Sequence, residues 1–140
     1  MKNKKFIDSN IIFYCSGDIG YRWAVKVAQE VAKNDNDTYT DVFLFQEILD
    51  RFYYLNDPDK AEIIYNAVRS LLENTIKVTV ADFDKSYELH QKYPNLQPRL
   101  LLRVGTMINN NSKKIISTYS ADSEEIEEIS RINLMEDIKV

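Results

Sequence analysis

"KKFIDSNIIFY", residues 4–14, decides how the rest of the chain is read. Lys4 and Lys5 lead into Phe6 and Ile7, and a single carboxylate, Asp8, then interrupts an apolar run that resumes at Ile11, Ile12 and Phe13. "KKFID" has the composition of a short strand. Ser9 and Asn10 are residues of turns and helix caps, so "NIIFYC" reads as a helical turn. A carboxylate drawn into the first buried element is costly unless something compensates it. Two explanations stand. Asp8 caps the turn at Ile11 and Ile12, or it is the first member of an acid cluster that holds a metal ion.

Outward from this stretch, strand-like and helical segments alternate. "YRWAVKVAQEVAKN" places Ala24, Val27, Ala28 and Val31 at helical spacing. "TYTD" reads as a short strand, and "DVFLFQEILDRFYYLN" as a largely buried helix ended by Asn56, Asp57 and Pro58. "PDKAEIIYNAVRSLLEN" is an amphipathic helix. "TIKVTV", β-branched and alternating, is the strongest strand signal in the chain. "DFDKSYELHQKY" is a helix with Asp82 as its expected N-cap, and Pro98 opens the helix "RLLLRVGTMINN". "KKIISTY" is a strand, "DSEEIEEI" an acidic helical turn over a buried Ile126 and Ile129, and "RINL" a last strand. Strands joined by helical crossovers predict a parallel sheet with helices on both faces, and such sheets bind ligands at the carboxyl ends of their strands. Asp8 falls at one such end, and Ser117, Thr118 and Tyr119 at another.

The bulk numbers narrow the chemistry. At 140 residues the chain is one domain, 1–140. One cysteine, Cys15, precludes an internal disulfide and fits a cytoplasmic protein. No stretch is long and apolar enough for a membrane span, and Asp8 breaks the only signal-peptide-like run. One histidine, His90, argues against a zinc site, which leaves hard cations held by carboxylates. The net charge of -4 does not describe a dedicated nucleic-acid binder, although a local basic patch can still meet phosphate.

Glu47 is the second carboxylate in an apolar setting, inside "VFLFQEIL". It is either a cation ligand or half of an ordinary i,i+4 ion pair with Arg51 on the solvent edge. With Asp8 it would support metal-assisted phosphodiester cleavage, the cation activating water and clamping phosphate. A CheY-like or flavodoxin-like signalling domain also places an acid after its first strand, but Glu47 in an apolar helix and the missing phosphoacceptor signals argue against it.

The order and spacing of "KKFIDSNIIFYCSGD", "VFLFQEILDRFYY" and the segment from "DFDKSYELHQKY" to "SRINL" resemble the PIN-domain family, in particular the small VapC-type toxins. The resemblance spans nearly the whole chain. It implies an α/β/α three-layer sandwich around a mostly parallel sheet of four to five strands. It also implies the ancestry of a ribonuclease that hydrolyses RNA phosphodiesters with Mg²⁺ or Mn²⁺. Residue by residue, Asp8 and Glu47 match the first two acids, as catalytic residues and metal ligands. Asn10 matches the polar position after the first acid, and Ser117 and Thr118 the hydroxyls before the fourth.

Two positions depart from the family. Leu100 stands where the family reads Asp after Pro-Arg, and Tyr119 stands where it reads Asp after Ser-Thr. Leucine cannot coordinate a cation, and tyrosine stays protonated near neutral pH (pKa ~10). Asp122 is a candidate replacement, displaced by three residues. Arg99 and Arg103, one helical turn apart, can pair with Asp8 or Glu47 in place of a cation, or grip RNA phosphates. The expectation is therefore a PIN-like protein with an eroded acid site. It is either a reduced ribonuclease with weakly held Mg²⁺ or Mn²⁺, or a non-catalytic scaffold binding RNA or a small antitoxin-like protein. The family further implies a homodimer, for which the tyrosine-rich "RFYYLN" is a candidate surface.

Overall fold

The structure is a computed structural model that describes residues 4–15, 38–72, 74–117 and 126–133. In chain order the described elements are β1 (Lys5–Ile7), α1 (Ser9–Cys15), β2 (Thr38–Asp41), α2 (Val42–Tyr54), α3 (Pro58–Leu71), β3 (Thr75–Ile76), α4 (Val80–Lys92), α5 (Pro98–Asn109), β4 (Lys114–Ser117) and β5 (Ser130–Asn133). The expected helix at "YRWAVKVAQEVAKN" lies outside the described residues, as do Thr118, Tyr119 and Asp122. None of the described helices is long and apolar enough to cross a membrane.

The five strands form one sheet in the order β3-β2-β1-β4-β5, and every pairing is parallel. β1 lies at the centre, with Phe6 beside Ile115 and Ile7 beside Ile116 of β4. The period-two pleat sends these neighbours to opposite faces. Ile7 and Ile116 join Ile11, Leu44, Ile48, Phe52 and Val68 in a core beneath α1, α2 and α3. Phe6 and Ile115 join Leu89, Leu101, Val104 and Met107 in a second core beneath α4 and α5. A sheet covered on both faces explains why its central strands read as unbroken apolar pairs. The expected three-layer α/β/α architecture is what the chain adopts, with five strands among the described residues.

Three local expectations need correction. "TIKVTV" is a strand only over Thr75–Ile76, at the sheet edge. Thr79 turns out of the sheet as the N-cap of α4: its side chain accepts from the Asp82 N–H, and Asp82 accepts from the Thr79 N–H at 2.8 Å. Asp82 is thus the reciprocal member of a capping box rather than the N-cap, and two local bonds outweigh the strand propensity of Val78 and Val80. "DSEEIEEI" is not a helical turn over its described part, residues 126–129, which form an irregular turn before β5. Ile126 and Ile129 are nonetheless buried there, as the pattern suggested.

α4 and α5 pack closely because of Gly105. A Cβ at this position would lie 2.9 Å from the Asp82 carbonyl oxygen and 3.0 Å from the Ser86 nitrogen, both backbone atoms of α4. The contact fixes the depth at which α5 sits, and α5 carries Arg99 and Arg103.

Candidate functional site

The site lies where β1 and β2 end side by side. The Asp8 N–H extends the sheet by donating to the Ile116 carbonyl at 3.0 Å, which fixes its backbone just past β1. Asp41 is the last residue of β2 and the N-cap of α2, its carboxylate accepting from the Leu44 N–H at 3.2 Å. Glu47 lies one and a half turns into α2 on its buried face, beside Leu44 and Ile48. Two neighbouring parallel strands and the helix after the second thus deliver three carboxylates to one place, at the carboxyl edge where such sheets bind ligands.

Arg103 of α5 reaches into their midst. Its Nη1 donates to Asp8 Oδ1 at 2.6 Å and to Ser9 Oγ at 3.4 Å. Its Nη2 donates to Glu47 Oε1 at 2.6 Å and to Asp41 Oδ1 at 3.3 Å, and its Nε to Asp41 Oδ2 at 3.3 Å. A guanidinium has five N–H donors, and all five have acceptors here. Asp41 receives the two-pronged fork that suits a planar carboxylate. Ser9 completes the ring by donating its hydroxyl to Glu47 Oε2 at 2.6 Å, while the Ser9 N–H donates to Asp8 Oδ1 at 2.8 Å.

Arg103 is only 4% exposed. Burial is the largest single influence on its guanidinium and pushes its pKa down, but Asp41, Asp8 and Glu47 together hold it above the ordinary arginine value. The group is a permanent cation. Three carboxylates against one buried guanidinium leave an excess of negative charge. Arg99 stands at the mouth with its Nη1 3.7 Å from Glu47 Oε2 and its side chain 64% exposed. It is a solvent-exposed partial offset rather than part of the buried cluster.

A hollow of about 500 Å³ opens onto this cluster, bordered by Asn10, Phe13, Asp50, Tyr54, Arg99 and Leu100 beside the charged residues. On the other side of Glu47 and Arg103 lies a more apolar groove of about 590 Å³, with Phe43, Phe83, Tyr87, His90, Pro98 and Leu102 in its walls.

The structure brings Asp8, Glu47 and Arg103 together and sets Asn10, Arg99 and Leu100 around them. The Ser117 backbone ends β4; its side chain, and the whole of Thr118, Tyr119 and Asp122, lie outside the described residues. Of the local explanations, the Glu47–Arg51 pair is not what forms. Glu47 turns inward, and the Arg51 guanidinium sits 4.8 Å from the centre of the Phe13 ring. Asp8 accepts from the Ser9 N–H, so a local turn contact and the ion pair with Arg103 coexist. Two members, Asp41 and Ser9, were not singled out from the sequence. Asp41 is accounted for locally as a helix cap. The signal that marks it is its place at the end of a strand that pairs beside β1. Ser9 is marked only by adjacency to Asp8.

Two solved structures share this architecture. A chain of the VapBC2 complex from Rickettsia felis, bound to a DNA fragment from its promoter, matches with a TM-score of 0.74 and 15% identity, covering 92% of this chain and 97% of that one. A chain of a toxin-antitoxin complex from Klebsiella pneumoniae matches with a TM-score of 0.64 and 15% identity, covering 90% and 95%. The fold is that of a VapC-type PIN domain. No protein-family model matches the sequence, and no curated protein does.

The resemblance noted in the sequence implies a bound divalent cation, which makes the fit of a cation a question for these residues. Asp8 Oδ1, Glu47 Oε1 and both Asp41 oxygens, the oxygens a hard cation would use, each accept from the Arg103 guanidinium. A dication among them would sit in contact with a fixed positive charge, and a hard cation needs several oxygen ligands of its own. The three carboxylates meet around the guanidinium, and as placed with it among them no group of three acidic, histidine or cysteine side chains among the described residues is set to hold a metal ion. With Arg103 in this position the donor set does not fit a metal ion.

Proposed function

We propose that the chain is a VapC-like PIN-fold protein of metal-dependent ribonuclease ancestry that works by binding a small antitoxin-like protein partner rather than by cleaving RNA. One observation carries the reading: the cluster of acids is satisfied internally, every N–H of Arg103 being taken by Asp8, Ser9, Asp41 and Glu47. Hydrolysis assisted by Mg²⁺ or Mn²⁺ needs those oxygens for the cation. The partner is supported by the two structural neighbours, both from toxin-antitoxin complexes. It is supported further by the surface. Val80, Phe83 and Tyr87, at i, i+3 and i+7 of α4, are all exposed, and Phe83 and Tyr87 line the apolar groove. Exposed apolar stripes of this kind mark protein contacts.

The alternative is a reduced ribonuclease, favoured by Arg99 at the mouth of the pocket, where it can meet phosphate. One experiment separates the two. Single-stranded RNA is incubated with the wild type in Mg²⁺ or Mn²⁺, with EDTA and with Asp8→Ala as controls, and complex formation with a co-expressed small partner is followed by size-exclusion chromatography. The proposal expects no cleavage above the Asp8→Ala background together with a stable complex. Cleavage that stops with EDTA and in Asp8→Ala refutes it.

A further inference from the structure

We infer that Arg103 is the resident cation of this pocket: its guanidinium holds Asp8, Asp41 and Glu47 together as a metal ion would, and keeps divalent cations out. The inference deepens the proposed function and rests on its view of the acid pocket. The geometry argues for it in three ways. First, the two shortest contacts, both 2.6 Å, go to carboxylates from two different elements, Asp8 after β1 and Glu47 of α2. Second, the fork onto Asp41 uses Nε and Nη2 together, an arrangement that lysine cannot reproduce. Third, the five bonds saturate the donors and Arg103 is buried, so the cation cannot exchange with solvent without α5 moving. Leu100, one turn earlier on the same helix, borders the same hollow with a side chain that offers no ligand. The chain supplies positive charge covalently where an apolar neighbour removes a ligand.

The consequence is a latent site. Arg103→Met keeps the apolar stem of the side chain but removes the guanidinium and its charge, leaving three carboxylates facing one void. Such a void is suited to a hard cation through the oxygens of Asp8, Asp41 and Glu47. Removing one positive charge about 4 Å from a doubly charged ion, at an effective dielectric constant of about 20, is worth about a millionfold in cation affinity. The test is Mn²⁺ titration of the full chain, with free ion read by electron paramagnetic resonance and stability read by thermal unfolding. The wild type is expected to bind no Mn²⁺ in this pocket at millimolar ion. Arg103→Met is expected to bind one ion and to gain about 8 °C in Tm at a hundredfold excess over its dissociation constant. Glu47→Gln in the Arg103→Met background is expected to abolish both.

Arg103→Met that folds only when Mn²⁺ is present supports the inference as well. If it does not fold in either condition, Arg103→Met with Asp41→Asn, which retains a capping side chain and removes one acid, takes its place. Wild type that binds Mn²⁺ as tightly as the variant overturns the inference. So does a folded variant that binds none, or failure of both variants to fold in millimolar Mn²⁺. The outcomes are separable from the functional reading: wild type that binds Mn²⁺ without cleaving RNA refutes only the inference, and wild type that cleaves without binding Mn²⁺ refutes only the function.

Discussion

Replacing Arg103 by methionine removes one positive charge from contact with three carboxylates, and the cost follows from what is left behind. Asp41 and Glu47 are buried, and Asp8 is 15% exposed at its side chain. Breaking a buried ion pair by deleting one partner costs about 3–5 kcal/mol, because the remaining charge is uncompensated. Here three charges lose their common partner, which puts the loss at the upper end, about 5 kcal/mol. Against domain stabilities of about 5–15 kcal/mol this is a large fraction. Urea unfolding of both proteins in EDTA near neutral pH reads the loss as a shift in midpoint at constant slope. A variant within about 1 kcal/mol of wild type refutes the reasoning.

Gly105→Ala is expected to destabilise by about 1–3 kcal/mol although alanine is the better helix former by about 1 kcal/mol, because the new Cβ meets the α4 backbone; a rise in Tm would show that the two helices part freely. Tyr93→Phe removes the hydroxyl that donates to Glu128 at 2.7 Å and should cost about 1 kcal/mol near neutral pH. Burial raises the Glu128 pKa, but the bonds from Tyr93 and Lys92 outweigh it and hold the carboxyl below its ordinary value. Stability from this group is present above the unfolded pKa and lost as pH falls through the folded one, so the cost of Tyr93→Phe should shrink in acid. Equal cost at both ends of a urea series over pH contradicts it.

Much of the architecture was legible because it depends on period-two alternation and on Asp8. "FI" and "II" supply one residue to each core, and the acid just after the first strand marks the ligand edge. Strand propensity misread residues 77–80, where the Thr79–Asp82 capping box wins locally. In the site, Asp8 and Glu47 stood out as carboxylates in apolar company. Asp41 did not, since a helix cap accounts for it until β2 is known to pair beside β1. The two arginines were indistinguishable in sequence, one turn apart on the same helix. Depth along α5 separates them: Arg99 is in the first turn at the pocket mouth, and Arg103 is one turn further in, where Gly105 lets the helix settle against α4.

The guanidinium itself offers the most direct measurement. In ¹⁵N-labelled protein the Nε and Nη protons of Arg103, assigned by their loss in Arg103→Met, should be separately visible and slow to exchange, since each has its own acceptor. These signals should persist unbroadened when stoichiometric Mn²⁺ is added. Selective broadening of them by Mn²⁺, or exchange as fast as that of the exposed Arg99, would contradict the claim that Arg103 is the cation of this pocket.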